Sequence, residues 1–180
     1  SQDAQLKKAL AITPKQVVDY EKPEGEILKA CKFVEKKTKP TGFVVHHESG
    51  RILRQFFDNN GDGQLDQWSY FNNGIEVYRD LDLNFDKKTD QYRWLGTAGT
   101  RWGMDPNQDG IIDSWKVISP EEVAFECFQA IKNVDQERFN RLLLTPDEYQ
   151  SLGLGPRISQ DVKARWEDAR ANFLAMAQQQ

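Results

Sequence analysis

The sequence predicts an α+β fold: an antiparallel β-meander built from three β-loop-β units of about 24 residues, followed by a bundle of three to four helices. Three observations predict it. A nine-residue pattern, Asp-x-Asn-x-Asp-x-x-x-Asp, begins at residues 58, 82 and 105. Aromatic and polar residues alternate after each copy, at the period of a strand. Beyond residue 118 the apolar spacing becomes helical and helix-start signals occur.

The chain before the first copy is predicted as a lead followed by strands. Residues 1–25 form a lead and polar connector, weakly helical over residues 1–12, with a helix start at Thr13-Pro14. Residues 26–37 and 42–48 are predicted strands, and Ser49-Gly50 turns the chain into a strand over residues 51–57. The β-region is therefore expected over residues 26–118.

The flanks of the nine-residue pattern recur with it. A turn glycine precedes each copy, at Gly50, Gly74 and Gly99, so the turns are expected at one end of the meander and the loops at the other. We expect one face of the strands to be buried, with Trp68, Tyr70, Tyr92, Trp94, Trp115 and Val117. The residues at the alternate positions are expected to be exposed to solvent: Gln67, Ser69, Gln91, Arg93, Ser114 and Lys116.

Residues 119–180 are predicted to be helical. Ser119, Asp135, Thr145 and Ser159 are the expected caps of four helices. The inward positions are predicted to be Val123, Cys127, Phe128 and Ile131 on the first helix and Val162, Trp166, Ala169, Phe173 and Met176 on the last. The apolar face of the last helix needs an apolar surface to pack against. We therefore expect this helix on the aromatic face of the sheet, so that the helices and the repeats form one compact domain.

The nine-residue pattern carries the chemistry. Oxygen side chains at positions 1, 3, 5 and 9, with a backbone carbonyl at position 7, form a ligand set that a hard cation such as calcium prefers. We expect two to three Ca²⁺ ions. The predicted ligands are Asp58, Asn60, Asp62, Gln64 and Asp66 in loop 1 (residues 58–66), Asp82, Asn84, Asp86, Lys88 and Asp90 in loop 2 (residues 82–90), and Asp105, Asn107, Asp109, Ile111 and Asp113 in loop 3 (residues 105–113).

Loop 2 departs from the other two copies at position 6. Gly63 and Gly110 allow a sharp bend there, whereas loop 2 has Lys87, followed by Lys88. A side chain at the bend and two positive charges should both weaken cation binding. Loop 2 is therefore the predicted weakest site.

These loops resemble the Asp-x-Asx-x-Asp-Gly-x-x-Asp calcium loops of integrin-type propeller blades and of related secreted bacterial repeat proteins. A true EF-hand differs, because its loop ends in an acidic residue at position 12, where this chain has Ser69, Arg93 and Lys116. The resemblance covers residues 50–118. Arrays followed by a short helical segment also resemble regions that precede thioredoxin-fold domains in some secreted bacterial proteins.

An extracytoplasmic location is expected, because weak extracellular-type loops, with dissociation constants of about 10⁻⁴ to 10⁻³ M, would not fill at resting cytosolic calcium. The chain opens at Ser1 with no apolar leader, so we expect either a removed signal peptide or a cut precursor. Cys31 and Cys127 form no CxxC pair, and they are either a disulfide or two buried thiols.

Other function classes find little support in the sequence. No basic patch with interleaved aromatics indicates nucleic acid, no apolar run is long enough to span a membrane, and no catalytic signature occurs. The favoured hypothesis is a non-catalytic secreted calcium module with a structural or protein-interaction role. The alternatives are a carbohydrate-binding module that uses exposed tryptophans, Trp102 above all, and an accessory domain of a larger enzyme, with a thioredoxin fold as one candidate.

Overall fold

A computed structural model describes residues 2–96 and 99–179 of the chain. The first helices and strands are α1 (Gln2–Ala11), α2 (Gly25–Lys29), β1 (Cys31–Lys36), β2 (Thr41–His47) and β3 (Ile52–Asp58). The remaining strands are β4 (Gln67–Asn72), β5 (Ile75–Leu81), β6 (Gln91–Leu95), β7 (Thr100–Met104) and β8 (Ser114–Ile118). The C-terminal helices are α3 (Pro120–Asn133), α4 (Gln136–Asn140), α5 (Pro146–Ser151) and α6 (Pro156–Ala177).

The eight strands form one antiparallel meander in which each strand lies beside its neighbours in sequence, in the order β1 to β8. The predicted class, α+β with a meander followed by helices, is confirmed. Asn73 and Gly74 turn β4 into β5, both with positive φ, as short hairpin turns require. The predicted turn before Gly99 includes Thr97 and Ala98, which lie outside the described residues.

Aromatic side chains form the larger core of the sheet. The buried members are Phe56, Tyr70, Tyr78, Tyr92 and Trp94, with Trp68 and Trp115 packed against them. Neighbouring rings meet edge to face across the strands, as Phe56 and Tyr70 do at a centroid distance of 5.4 Å. The expected buried face is therefore confirmed at five of its six residues, whereas Val117 is 50% exposed.

The opposite face of the sheet is less exposed to solvent than expected. Ser69 is fully buried and Gln91 is 7% exposed. Both polar side chains have partners, because Ser69 Oγ accepts from Gln67 Nε2 at 2.9 Å and Gln91 Oε1 accepts from Trp102 Nε1 at 2.8 Å. Hydrogen bonds therefore let these polar residues be buried.

An irregular segment, residues 12–24, runs over the aromatic core. Ile12, Val18 and Tyr20 pack against the aromatic cluster, and Glu21 N donates to Phe71 O at 2.9 Å. The helix predicted to start at Thr13 is absent here. The N-terminal segment therefore buries part of the face for which the sequence suggested the last helix, and packing of that helix on the sheet stays a prediction.

Helix α1 supplies a second, smaller core. Ala9 packs with Cys31, Val45 and Leu53 of the first three strands. The strand expected from residue 26 is wrong at its start, because Gly25–Lys29 is helical and β1 begins only at Cys31. Residues 26–30 read Glu-Ile-Leu-Lys-Ala, all but one of which are good helix formers, and Ala30 N closes the turn on Glu26 O at 3.2 Å.

The chain divides into two compact units, Ser1–Val117 and Ile118–Gln180. In the second unit Ala130, Phe173 and Ala177 form the core. Glu126, 3% exposed, holds Arg138 through two bonds of 2.6 and 2.8 Å. Asp135 and Thr145 cap α4 and α5 as predicted, while α6 starts at Pro156, three residues before the predicted cap Ser159.

Two predicted inward residues of the second unit face solvent. Phe128 is 60% exposed and Met176 is 56% exposed, and Ala177 takes the buried place at the end of α6. A 3.6-residue period defines a stripe only to within one residue, so the end of a stripe is hard to place. Cys31 and Cys127 are both free thiols, of which only Cys31 is buried.

Candidate metal sites

The three predicted loops lie in a row at one end of the sheet. Loop 1 joins β3 to β4, loop 2 joins β5 to β6, and loop 3 joins β7 to β8. Consecutive loops are linked through their backbones. Asp82 N donates to Asp66 O at 2.8 Å, and Asp105 N donates to Asp90 O at 2.9 Å. The last aspartate of one loop is therefore held against the first aspartate of the next.

All three loops share one unusual backbone, with positive φ at positions 4 and 6. The residues are Gly61 and Gly63 in loop 1, Phe85 and Lys87 in loop 2, and Gln108 and Gly110 in loop 3. Glycine adopts this conformation without steric cost, whereas other residues are strained in it. The sequence indicated the bend at position 6. The second bend, at position 4, had a signal only in Gly61, because Phe85 and Gln108 give none.

The aspartate at position 1 is the buried anchor of each loop. Asp58, Asp82 and Asp105 are 6%, 1% and 0% exposed. One oxygen of each accepts the backbone N–H of position 6, at 2.9, 2.8 and 2.9 Å. Side-chain hydroxyls add to this in two loops, from Thr41 to Asp58 at 3.2 Å and from Tyr92 to Asp105 at 2.8 Å.

These contacts favour the charged carboxylate. Loss of surrounding water acts to raise the pKa of Asp58, but the bonds from Gly61, Gly63 and Thr41 outweigh it and hold the pKa below its ordinary value. An ionised anchor is what a cation site needs. Neither Thr41 nor Tyr92 lies within the nine-residue pattern, so no signal in the sequence could identify their part in the site.

Positions 3 and 5 form a regular series of side chain to backbone bonds. In loop 1, Asn60 Oδ1 accepts from Asp62 N and Asp62 Oδ1 accepts from Gln64 N, both at 2.8 Å. The equivalent bonds recur in loop 2 at 3.1 Å for each and in loop 3 at 3.0 and 2.8 Å. Within residues 2–96 and 99–179, Oδ2 of Asp62 and of Asp109 accepts no hydrogen bond. One oxygen of each therefore remains available to a ligand.

The position-7 carbonyls are also available. In the described part of the chain, no hydrogen bond ends on the carbonyl oxygens of Gln64, Lys88 or Ile111. An unbonded carbonyl at an exposed bend is a natural metal ligand, because it exchanges only water for the ion.

Position 9 separates loop 3 from the other two loops. Asp66 and Asp90 are buried, and each accepts a bond from the N–H of position 2 of its own loop, Asn59 at 2.8 Å and Leu83 at 3.3 Å. In loop 3 position 2 is Pro106, which has no N–H to donate. Asp113 is exposed accordingly. Loop 3 is therefore the copy whose last ligand is least fixed.

Loop 2 keeps the main side chain to backbone bonds of loop 1, those that end on its aspartates at positions 1, 5 and 9 and on the asparagine at position 3. Lys87 N still donates to Asp82 Oδ2, although φ at Lys87 is 76°. Burial, with the charges of Asp82 and Asp86 nearby, raises the pKa of Asp90 above its ordinary value. The substitutions in loop 2 therefore alter its strain and charge but not its geometry, and its place as the weakest site stays a prediction.

The donor set of each loop fits calcium, because it consists of carboxylate, amide and carbonyl oxygens. Among the described residues, no three His, Cys, Asp or Glu side chains gather into a group that could hold a metal ion. The predicted ligands comprise three such side chains per loop, together with an asparagine amide and a backbone carbonyl.

Within the described residues, the two tryptophan rings that meet, Trp94 and Trp115, are tilted and do not form a flat platform for a ligand. Trp94 and Trp115 meet at 59°, and Trp94 is 8% exposed. The ring of Trp102 carries two cations, with Arg93 Cζ 4.7 Å and Lys116 Nζ 4.0 Å from its centroid. Trp102 therefore takes part in a cation–π cluster of the sheet.

No protein-family model matches the chain, and no curated protein matches it. No helix in residues 2–96 and 99–179 is both long and apolar enough to cross a membrane.

Proposed function

We propose that loops 1 to 3 bind calcium and that the protein is a non-catalytic, extracytoplasmic module. In this proposal, bound calcium stabilises the β-meander. The observation that carries the proposal is the threefold recurrence of one oxygen ligand set on one backbone, with left-handed residues at positions 4 and 6. The resemblance to secreted calcium-loop repeats supports the same reading. In this proposal the three segments are repeats of one β-loop-β unit.

Each loop is placed so that a bound calcium ion would connect two neighbouring strands. The position-1 aspartate lies at the end of one strand, or next to it, and the position-9 aspartate lies just before the following strand. Residues of two neighbouring strands would thus share one ion. A bound divalent cation would also neutralise the like charges of Asp58, Asp62 and Asp66 in loop 1, and of their equivalents in loops 2 and 3. Folding of the meander should therefore depend on metal.

Calcium titration by isothermal calorimetry on chelator-stripped protein tests the proposal, with circular dichroism recorded on the same samples. We expect two or three sites and a gain of β signal. The matched control is the triple variant Asp62→Asn, Asp86→Asn, Asp109→Asn. All three side chains are exposed, so the substitutions remove ligand charge with little effect on packing. Absence of heat at millimolar calcium, or equal thermal melting with calcium and with chelator, would contradict the proposal.

A further inference from the structure

In the part of the chain that the structure describes, one side-chain hydrogen bond joins two of the loops. Gln108 Nε2, at position 4 of loop 3, donates to Asp86 Oδ2, at position 5 of loop 2, over 2.7 Å. Loops 2 and 3 are also joined through Asp105 N and Asp90 O. Between loops 1 and 2, the described residues show only the corresponding backbone bond, from Asp82 N to Asp66 O. The side-chain link is therefore particular to loops 2 and 3.

Gln108 gives Asp86 an arrangement that its counterparts lack. Asp86 Oδ1 accepts from Lys88 N at 3.1 Å while Oδ2 accepts from Gln108, so both oxygens are fixed. In Asp62 and Asp109, only Oδ1 is bonded within the described residues. A carboxylate oxygen has two lone-pair sites, so Oδ2 can keep the Gln108 bond and still coordinate a cation.

The position of Gln108 depends in turn on loop 3. Its backbone has φ 58°, and its N–H bonds to Asp105 O at 3.2 Å. Gln108 thus stands at one of the two left-handed bends of loop 3, between the ligands Asn107 and Asp109. Ion binding by those neighbours would fix the backbone from which the Gln108 side chain reaches Asp86.

We propose that Gln108 couples the two sites, so that calcium in loop 3 raises the affinity of loop 2 for calcium. The inference rests on the proposed function. Its physical basis is preorganisation: a carboxylate already held at both oxygens loses less freedom when it binds. A charge-assisted hydrogen bond of this kind should change the loop 2 dissociation constant by roughly five- to tenfold.

The experiment isolates loops 2 and 3 in the full chain. Asp62→Asn weakens loop 1, and calcium is then titrated calorimetrically in this background with and without Gln108→Ala. Alanine adds little strain, because glutamine already carries a Cβ at this φ. Asp62→Asn with Asp109→Asn leaves loop 2 alone, and Asp62→Asn with Asp86→Asn leaves loop 3 alone. We expect positive cooperativity in the Asp62→Asn protein, a loop 2 site weakened when loop 3 is removed, and loss of cooperativity on Gln108→Ala.

Gln16→Ala is the matched control. Gln16 Nε2 also donates to loop 3 over 2.7 Å, to Gly110 O, but no hydrogen bond joins it to loop 2 in the described residues. Gln16→Ala should leave the cooperativity between loops 2 and 3 unchanged, even where it changes the affinity of loop 3 itself. Two independent sites that Gln108→Ala does not alter would overturn the coupling and leave calcium binding intact. A tighter loop 2 in Gln108→Ala would also overturn it, because Gln108 would then be blocking Asp86. No calcium heat in any variant would reject the proposed function itself.

Discussion

Left-handed residues decide how much strain each loop carries. Loop 1 places glycine at both bends, loop 3 at one and loop 2 at neither, because Phe85 has φ 61° and Lys87 has φ 76°. A left-handed conformation costs a residue with a side chain about 1–2 kcal/mol relative to glycine. Loop 2 therefore stores more strain than loop 1, although the two loops share most of their side chain to backbone bonds.

Replacing Lys87 with glycine should relieve part of this strain. We expect Lys87→Gly to stabilise the folded protein by about 1 kcal/mol and to tighten calcium binding at loop 2, since a positive charge leaves the site as well. The Lys87 N–H bond to Asp82 is kept, because it belongs to the backbone. Urea unfolding and calcium calorimetry measure the two effects.

Gly63→Ala is the reverse substitution at the same position of loop 1. A Cβ at Gly63 meets no atom within 4 Å, so it tests backbone strain without a steric clash. It should destabilise by a similar amount. Equal stabilities of Lys87→Gly and the parent chain would show that loop 2 tolerates its bend without cost.

At the residue scale, the pattern in the sequence identified the position-6 bends of Gly63 and Gly110. It could not identify Thr41, Tyr92 or Gln108. These residues reach the loops from neighbouring strands or from another loop, and a short local pattern carries no information on contacts between distant segments.

At the element scale, the segment of residues 12–24 is the least expected part of the sheet unit. It has no helix or strand of its own, yet Trp94 Nε1 donates to Val17 O at 3.2 Å and Lys15 N donates to Asp80 Oδ2 at 3.1 Å. Its polar composition suggested a connector. Periodicity detects regular elements, so an irregular segment fixed by such scattered contacts gives no signal.

Glu21 holds this segment against the sheet through its side chain. Its carboxylate accepts from Arg51 at 2.6 Å and from Asn73 N at 3.2 Å, and only 13% of its side chain is exposed. Glu21→Gln should lower the free energy of unfolding by about 2 kcal/mol, because it removes a charge from a largely buried pair. Urea denaturation followed by tryptophan fluorescence measures the loss.

The control for Glu21 is Glu26→Gln. Glu26 also pairs with a cation at 2.6 Å, from Lys29, but 87% of its side chain is exposed. Exposed pairs contribute about 0–1 kcal/mol, so this change should be nearly neutral. Equal losses of unfolding free energy in the two variants would mean that the Glu21 contacts stabilise the protein no more than an exposed ion pair does.

At the scale of the whole molecule, every predicted calcium ligand lies between residues 58 and 113, within the unit Ser1–Val117. The unit Ile118–Gln180 contains none. An ion that binds only the folded loops stabilises by RT ln(1 + [L]/Kd), about 2.7 kcal/mol at a hundredfold excess over Kd. This stabilisation should reach the strands that the loops join, and through pairing with β3 it should extend to β2 and β1.

Hydrogen exchange followed by mass spectrometry tests this division in the full chain. Calcium should slow exchange in peptides from β1 to β8 and leave peptides of α3 and α6 unchanged, because opening the strands would require release of the ions whereas opening the helices would not. The Asp62→Asn, Asp86→Asn, Asp109→Asn variant should show no calcium effect in either unit. If calcium slowed exchange in the helices as much as in the strands of the parent chain, the two units would open as one, and calcium would stabilise the whole molecule and not the meander alone.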